Sequence, residues 1–309
     1  MAPIKAFKTL LCTFIFLLAS AALCTAAGLE VGARALGMGG AYTAIADDGS
    51  AAYWNPAGIT QVHTGLVLQG GGRGDWQTMD ALAKQDPSLV DGNFGLVGAA
   101  GLTFEHWAFN VRTKLEAGEV TGGTTARINR ATEGALTLAA ECTELLAVGV
   151  NAKYLALEEE TFTAGGSAGK AKAGGLAADL GALVKVGKLV RAGAVVKDYP
   201  LTGMKLAGEP YELPTRLVLG GAVKVPLLGM VVAADLETPL QGEGDPVWHV
   251  GLEQPVLGIL LLRAGGYQRT DGFNLTAGAG LKLGPVLLDV AADLGAEKTA
   301  FYATAGLQF

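Results

Sequence analysis

The sequence predicts an all-β chain, a transmembrane antiparallel β-barrel of about fourteen strands. Three observations predict it. The closing stretch Thr299–Phe309 alternates strictly: Phe301, Ala303, Ala305, Leu307 and Phe309 are apolar, and Tyr302, Thr304, Gly306 and Gln308 between them are polar or minimal. A period of two over about ten residues is the length and pattern of a strand crossing a bilayer, one face in lipid and one in water. Second, 50% of the residues are hydrophobic, yet no uninterrupted apolar segment reaches the ~20 residues a membrane helix needs. The longest are cut by Lys224 and Pro226, by Arg263, or by Asp289 and Asp293. Apolarity dispersed at every second residue is what a barrel produces and a helical bundle does not. Third, tight turns alternate with mostly longer loops, the asymmetry of membrane barrels whose short side faces the periplasm.

The elements follow in order. Residues 1–27 read as an export signal: Lys5 and Lys8, the uncharged run Leu10–Leu23, then Cys24-Thr25-Ala26-Ala27 as a small-residue cleavage site. The apolar run is too short for a membrane helix, and Leu23 before Cys24 speaks against a lipoprotein signal. Residues 28–60 break the strand pattern and form a separate segment. Residues 61–309 form the barrel, with strands expected over 64–72, 92–103, 107–116, 126–140, 145–158, 172–186, 189–199, 214–224, 229–237, 247–254, 259–269, 272–283, 286–294 and 299–309. In 272–283, Phe273, Leu275, Ala277, Ala279 and Leu281 oppose Asn274, Thr276, Gly278, Gly280 and Lys282. The same alternation turns Arg112, Lys114, Lys153, Arg191, Lys197, Arg216, Arg263, Asp289 and Asp293 towards the lumen. Arg130 is the misfit, falling on an otherwise apolar face, and is expected at the rim. Connections 73–91, 117–125, 159–171, 200–213 and 238–246 are expected as loops. Trp76, Met79, Leu82 and Ala83 recur at helical spacing within the first of them.

Composition excludes several classes. Removing residues 1–27 takes Lys5 and Lys8 and no acid, moving the formal charge from −6 to −8. An acidic exported chain has no electrostatic case for nucleic acid. Cys142 is then alone, so no internal disulfide or thiolate cluster is expected, nor any cofactor. His63, His106 and His249 lack metal-ligand spacing and read as polar surface. No nucleophile, histidine and orienting partner form a hydrolase signature, so the chain reads as a non-enzyme.

The segment 28–60 carries Arg34, the glycines Gly37, Gly39 and Gly40, the acidic pair Asp47-Asp48, and Asn55-Pro56-Ala57-Gly58. GxGG without a preceding strand or following lysine is a weak phosphate-loop signal. Asp47-Asp48-Gly49-Ser50 lacks the alternate acids of an EF-hand loop and reads as a cap or turn. The run GARALGMGGAYTAIADDGSAAYWNPAGI resembles the N-terminal segment of the FadL-type outer-membrane transporter superfamily, including its PorV-like and TraF-like relatives. That resemblance implies a small plug inside a fourteen-stranded barrel, built by Gly32, Arg34, Gly37, Gly39, Gly40, Ala46, Asp47, Asp48, Asn55, Pro56, Ala57 and Gly58. It implies passive uptake of hydrophobic small molecules through the outer membrane of a diderm bacterium, with lipid as surroundings. The PorV-like relatives imply an alternative, an accessory or anchor barrel partnered by secretion-system proteins. Glycines would let the plug backbone approach the wall, Pro56 would stiffen its exit, and Asp47 or Asp48 would pair with a lumen-facing Arg or Lys.

Overall fold

A computed structural model describes residues 30–74, 78, 84, 94–121, 125–163, 166–241, 244–269, 272–295 and 299–309. Its strands are β1 (Gly65–Arg73), β2 (Phe94–Phe104), β3 (Trp107–Thr121), β4 (Thr125–Glu141), β5 (Leu146–Thr163), β6 (Gly166–Val186), β7 (Val190–Pro200), β8 (Met204–Leu206), β9 (Glu209–Tyr211), β10 (Arg216–Lys224), β11 (Val231–Pro239), β12 (Val247–Val256), β13 (Leu260–Arg269), β14 (Gly272–Leu283), β15 (Val286–Asp293) and β16 (Ala300–Gln308). Fourteen of them close into a barrel in which each strand pairs antiparallel with its neighbour, and β1 meets β16 with Leu68 opposite Ala305. Closure leaves no strand edge unpaired, which is what allows a sheet to sit in lipid. β8 and β9 form a hairpin of their own in the long connection after β7.

The alternation read in the sequence sets the two faces. Leu138, Tyr154, Leu180, Trp248, Phe273, Leu275, Val290 and Phe301 are exposed on the outside of the wall. Thr304 points inward, its hydroxyl accepting from the Ala33 amide at 3.0 Å. An apolar outer band over a polar interior is the reverse of a soluble barrel and the pattern of a membrane one.

Three expected loops need correction. The stretches 117–125 and 159–171 are largely strand: β3 runs to Thr121, β5 to Thr163, and β6 begins at Gly166. Their outer ends carry Glu, Lys and Gly in place of an apolar face, so hydropathy signals loop while cross-strand ion pairs hold the ladder. Arg130 is one such residue, 3.5 Å from Glu158 on the next strand. The 200–213 connection likewise contains the unanticipated hairpin. The export signal at 1–27 and the helical spacing of Trp76, Met79, Leu82 and Ala83 fall outside the described residues.

Ahead of β1 the chain forms α1 (Ala33–Gly37), α2 (Ala51–Trp54) and a 3-10 turn (Pro56–Gln61). Gly39 and Gly40 take φ of 66° and 83° and end α1, a backbone that L side chains rarely adopt. Asn55 starts the 3-10 turn by accepting from the Ala57 amide at 3.0 Å, with Pro56 at its first position.

Candidate functional site

Residues 30–62 sit inside the barrel, because they bond to strands around its whole circumference. The Ala33 amide reaches Thr304 on β16. The Tyr42 and Thr43 amides donate to Asp235 on β11 at 3.0 and 2.8 Å. Asn55 donates to the Thr43 carbonyl and to the Ala182 carbonyl on β6, and Asn151 on β5 donates to the Ala52 carbonyl. Ala33, Ala35, Met38, Ala41, Tyr42 and Ala44 are fully buried. Helix this short has no stability of its own, so the wall holds it.

Wall glycines make that fit possible. A Cβ at Gly149 would collide with the Pro56–Ala57 backbone, at Gly181 with Asn55, at Gly193 with the Thr43 carbonyl, and at Gly251 or Gly265 with Met38. At Gly278 it would lie 3.0 Å from the Gly37 Cα. These glycines belong to β5, β6, β7, β12, β13 and β14, and each lies a few residues inside the short turn of its strand. They form a belt towards the short-turn end, five of them facing backbone of the segment and Gly181 facing the Asn55 and Pro56 side chains.

Arg34 is the only basic residue of the segment and its electrostatic centre. Its Nε and Nη2 grip Glu253 of β12 at 2.7 and 2.8 Å, and its Nη1 donates to Asp47 at 2.6 Å and to the Tyr42 hydroxyl at 2.9 Å. Asp47 also accepts from Arg191 of β7 at 2.9 Å. Glu253 is shared with Arg263, which reaches Asp289 of β15 at 2.6 Å. The result is one relay across the lumen, Asp289–Arg263–Glu253–Arg34–Asp47–Arg191, with the segment as its middle. Burial pushes the Asp47 carboxyl up, but Arg34 and Arg191 outweigh it and hold the group below its ordinary value. Burial raises the Tyr42 phenol well above its usual range. Asp48 accepts from the Ser50 amide and hydroxyl at 2.8 and 2.6 Å, the turn expected of that pair.

Other sequence-derived residues divide between this relay and the space beyond it. Arg112 bonds the Tyr53 hydroxyl at 3.1 Å and Glu133 at 2.9 Å. Lys197 stands 4.1 Å over the Tyr53 ring and 5.3 Å over Trp54. Arg216 pairs with Asp198 and Glu237, Lys114 with Glu116, and Asp293 with the Tyr267 hydroxyl; none of these three touches the segment through those bonds. Gly58 packs against Ala46, where a Cβ would not fit. His249, read as surface, faces the lumen and its Nδ1 donates to the Gly39 carbonyl at 2.7 Å. Sequence reasoning missed Glu253, Asp235, Asn151 and the wall glycines. The acids lie on the inward phase of their strands and were open to the same alternation argument.

Among the described residues two small cavities lie in the lumen and a larger one at the long-loop end. About 90 Å³ is enclosed by Tyr53, Trp54, Lys197, Arg216, Glu237 and His249, and about 30 Å³ by Val67, Asn110, Arg112 and Asn151. At the long-loop end, Leu201, Met204, Tyr211 and Leu213, together with Thr202, Glu212 and Gln241, line a cavity of about 650 Å³.

The closed fourteen-stranded barrel has counterparts among solved structures. The toluene transporter TbuX of Ralstonia pickettii aligns with a TM-score of 0.65 over 91% of this chain and 98% of its own, at 16% identity. A Pseudomonas aeruginosa FadL homologue aligns at 0.59 over 92% of this chain and 100% of its own, at 11% identity. The chain has the FadL-type fold. The monoaromatic hydrocarbon channel CymD matches this FadL-type barrel equally closely, with a TM-score of 0.66 at 15% identity over 91% of this chain and 98% of that one. No protein-family model and no curated protein sequence matches the chain.

Proposed function

We propose that the protein is an outer-membrane channel for passive uptake of hydrophobic small molecules, with residues 28–60 as the plug that closes it. The observation that carries this reading is the way the segment is held. It fills the lumen through ion pairs and hydrogen bonds, centred on Arg34, Glu253 and Asp47, and it contributes no strand to the barrel. A closure of that kind can leave its seat without breaking the wall. The cavity of about 650 Å³ at the long-loop end, lined by apolar and polar side chains alike, falls in the size range of small-molecule sites. The neighbours of like fold include proteins named as toluene transporters and a monoaromatic hydrocarbon channel.

One observation favours a second reading, a PorV-like accessory barrel for protein secretion. The lumen cavities, about 90 and 30 Å³, are smaller than the ~150 Å³ that holds a benzene molecule. Passage through these two cavities requires the segment to move, whereas an accessory role does not. Uptake of labelled toluene by cells with and without the chain separates the two. Faster uptake with the chain supports the channel; equal rates, with the protein folded in the membrane, contradict it and leave the accessory reading ahead.

A further inference from the structure

The outer ends of β4, β5 and β6 carry a row of charges on their lipid-side face. Arg130, Glu158 and Lys172 are cross-strand partners in one rung, and Ile128, Glu160 and Lys170 form the next. All have the outward phase of Leu136, Tyr154 and Leu176, which are exposed on the same three strands. Lys172, Lys170 and Arg130 expose 70%, 61% and 53% of their side chains. Glu158 bridges to Lys172, and Glu160 lies 3.1 Å from Lys170. The two rungs therefore hold three cations to two acids, on a chain whose net charge is −6.

Height places this patch. Ten residues separate Val148, near the short-turn end of β5, from Glu158. That is ~33 Å along the strand and ~25 Å across the membrane at a tilt near 40°, the height of the apolar band of such barrels. Tyr154, four residues lower, lies ~10 Å beneath on the same scale, within the apolar band. The charged rungs thus begin where acyl chains end and phosphates start, above an apolar strip formed by Leu136, Tyr154, Leu176 and Leu180. An ion-pair ladder kept only for pairing would have no reason to stop at this level, and its exposed pairs contribute little.

We infer that this face binds a phosphorylated glycolipid of the outer leaflet, with Arg130, Lys170 and Lys172 on its phosphates and its acyl chains along the strip below. The inference rests on the outer-membrane reading and its orientation, but not on uptake. Full-length protein in detergent is mixed with bisphosphorylated lipid A or with its dephosphorylated form, and retained lipid is counted by native mass spectrometry. Bisphosphorylated lipid is expected to bind in preference. The triple variant Arg130→Gln, Lys170→Gln, Lys172→Gln is expected to lose roughly hundredfold in affinity, each basic group acting on anionic lipid. Lys188→Gln, at the opposite end, should bind as the parent does. A heat-modifiable band on a denaturing gel identifies folded variant; Lys170→Arg with Lys172→Arg keeps the charge and should retain binding if the triple variant fails to fold. Equal binding of both lipids, undiminished binding by the triple variant, or displacement of the lipid by millimolar inorganic phosphate alone overturns the proposal. Lipid binding by a protein that does not speed toluene uptake would count against the channel and leave this site standing.

Discussion

At the residue scale the account turns on Arg34. It is shared between Glu253, 6% exposed, and Asp47, so Arg34→Met would cut the relay at its middle, leaving Glu253 to Arg263 alone and Asp47 to Arg191 alone. Because each acid keeps one cation, the cost is expected to stay below the ~3–5 kcal/mol of an uncompensated buried charge. The expected outcome is a dislodged segment in a folded barrel, read as new protease cleavage within residues 30–62 while the heat-modifiable band persists. Asp47 adds a pH dependence with a definite sign. Its folded value lies below the ordinary carboxylate value, so its contribution is complete above about pH 4 and disappears as pH falls through the lowered value. Segment protection is therefore expected to hold at neutral pH and to weaken only below about pH 4. Asp47→Asn should weaken it at neutral pH and flatten that acid limb; an unchanged acid limb in Asp47→Asn would assign the transition to another group.

At the scale of elements, alternation made all fourteen barrel strands legible, because lipid on one side and water on the other force a period of two. The ends of β3, β5 and β6 were not legible, since above the membrane that force is gone and the charged, glycine-rich stretches 117–121, 159–163 and 166–171 mimic a loop. The β8–β9 hairpin is hidden for the same reason. The acidic pair and the Asn55-Pro56 turn could be read locally, whereas the glycine belt could not. Each glycine looks like an ordinary small strand residue until Met38, Thr43 or Asn55 is set against it. Overpacking such a contact costs ~1–3 kcal/mol. Gly251→Val, which meets Met38, should loosen the segment, and Gly221→Ala, with open space around its Cβ, should not. Equal protease patterns in the two variants would count against the belt. On the outer face, Val290→Arg should cost ~2–4 kcal/mol in a lipid refolding assay if it lies near the midplane, while Lys282→Arg, on the inward phase near a short turn, should be neutral.

At the scale of the molecule the parts form a division of labour. The barrel is a hydrogen-bonded cylinder complete without residues 30–62, and the segment is an insert fixed by one ionic relay and a belt of close backbone contacts. The central claim is that this insert closes the channel. Single-channel recording in a planar bilayer tests it most directly, comparing the intact protein with a variant lacking residues 28–58. The account predicts that the intact protein is silent and that the deletion variant inserts and conducts ions in steps of uniform size. A deletion variant that inserts and stays as closed as the intact protein would contradict it.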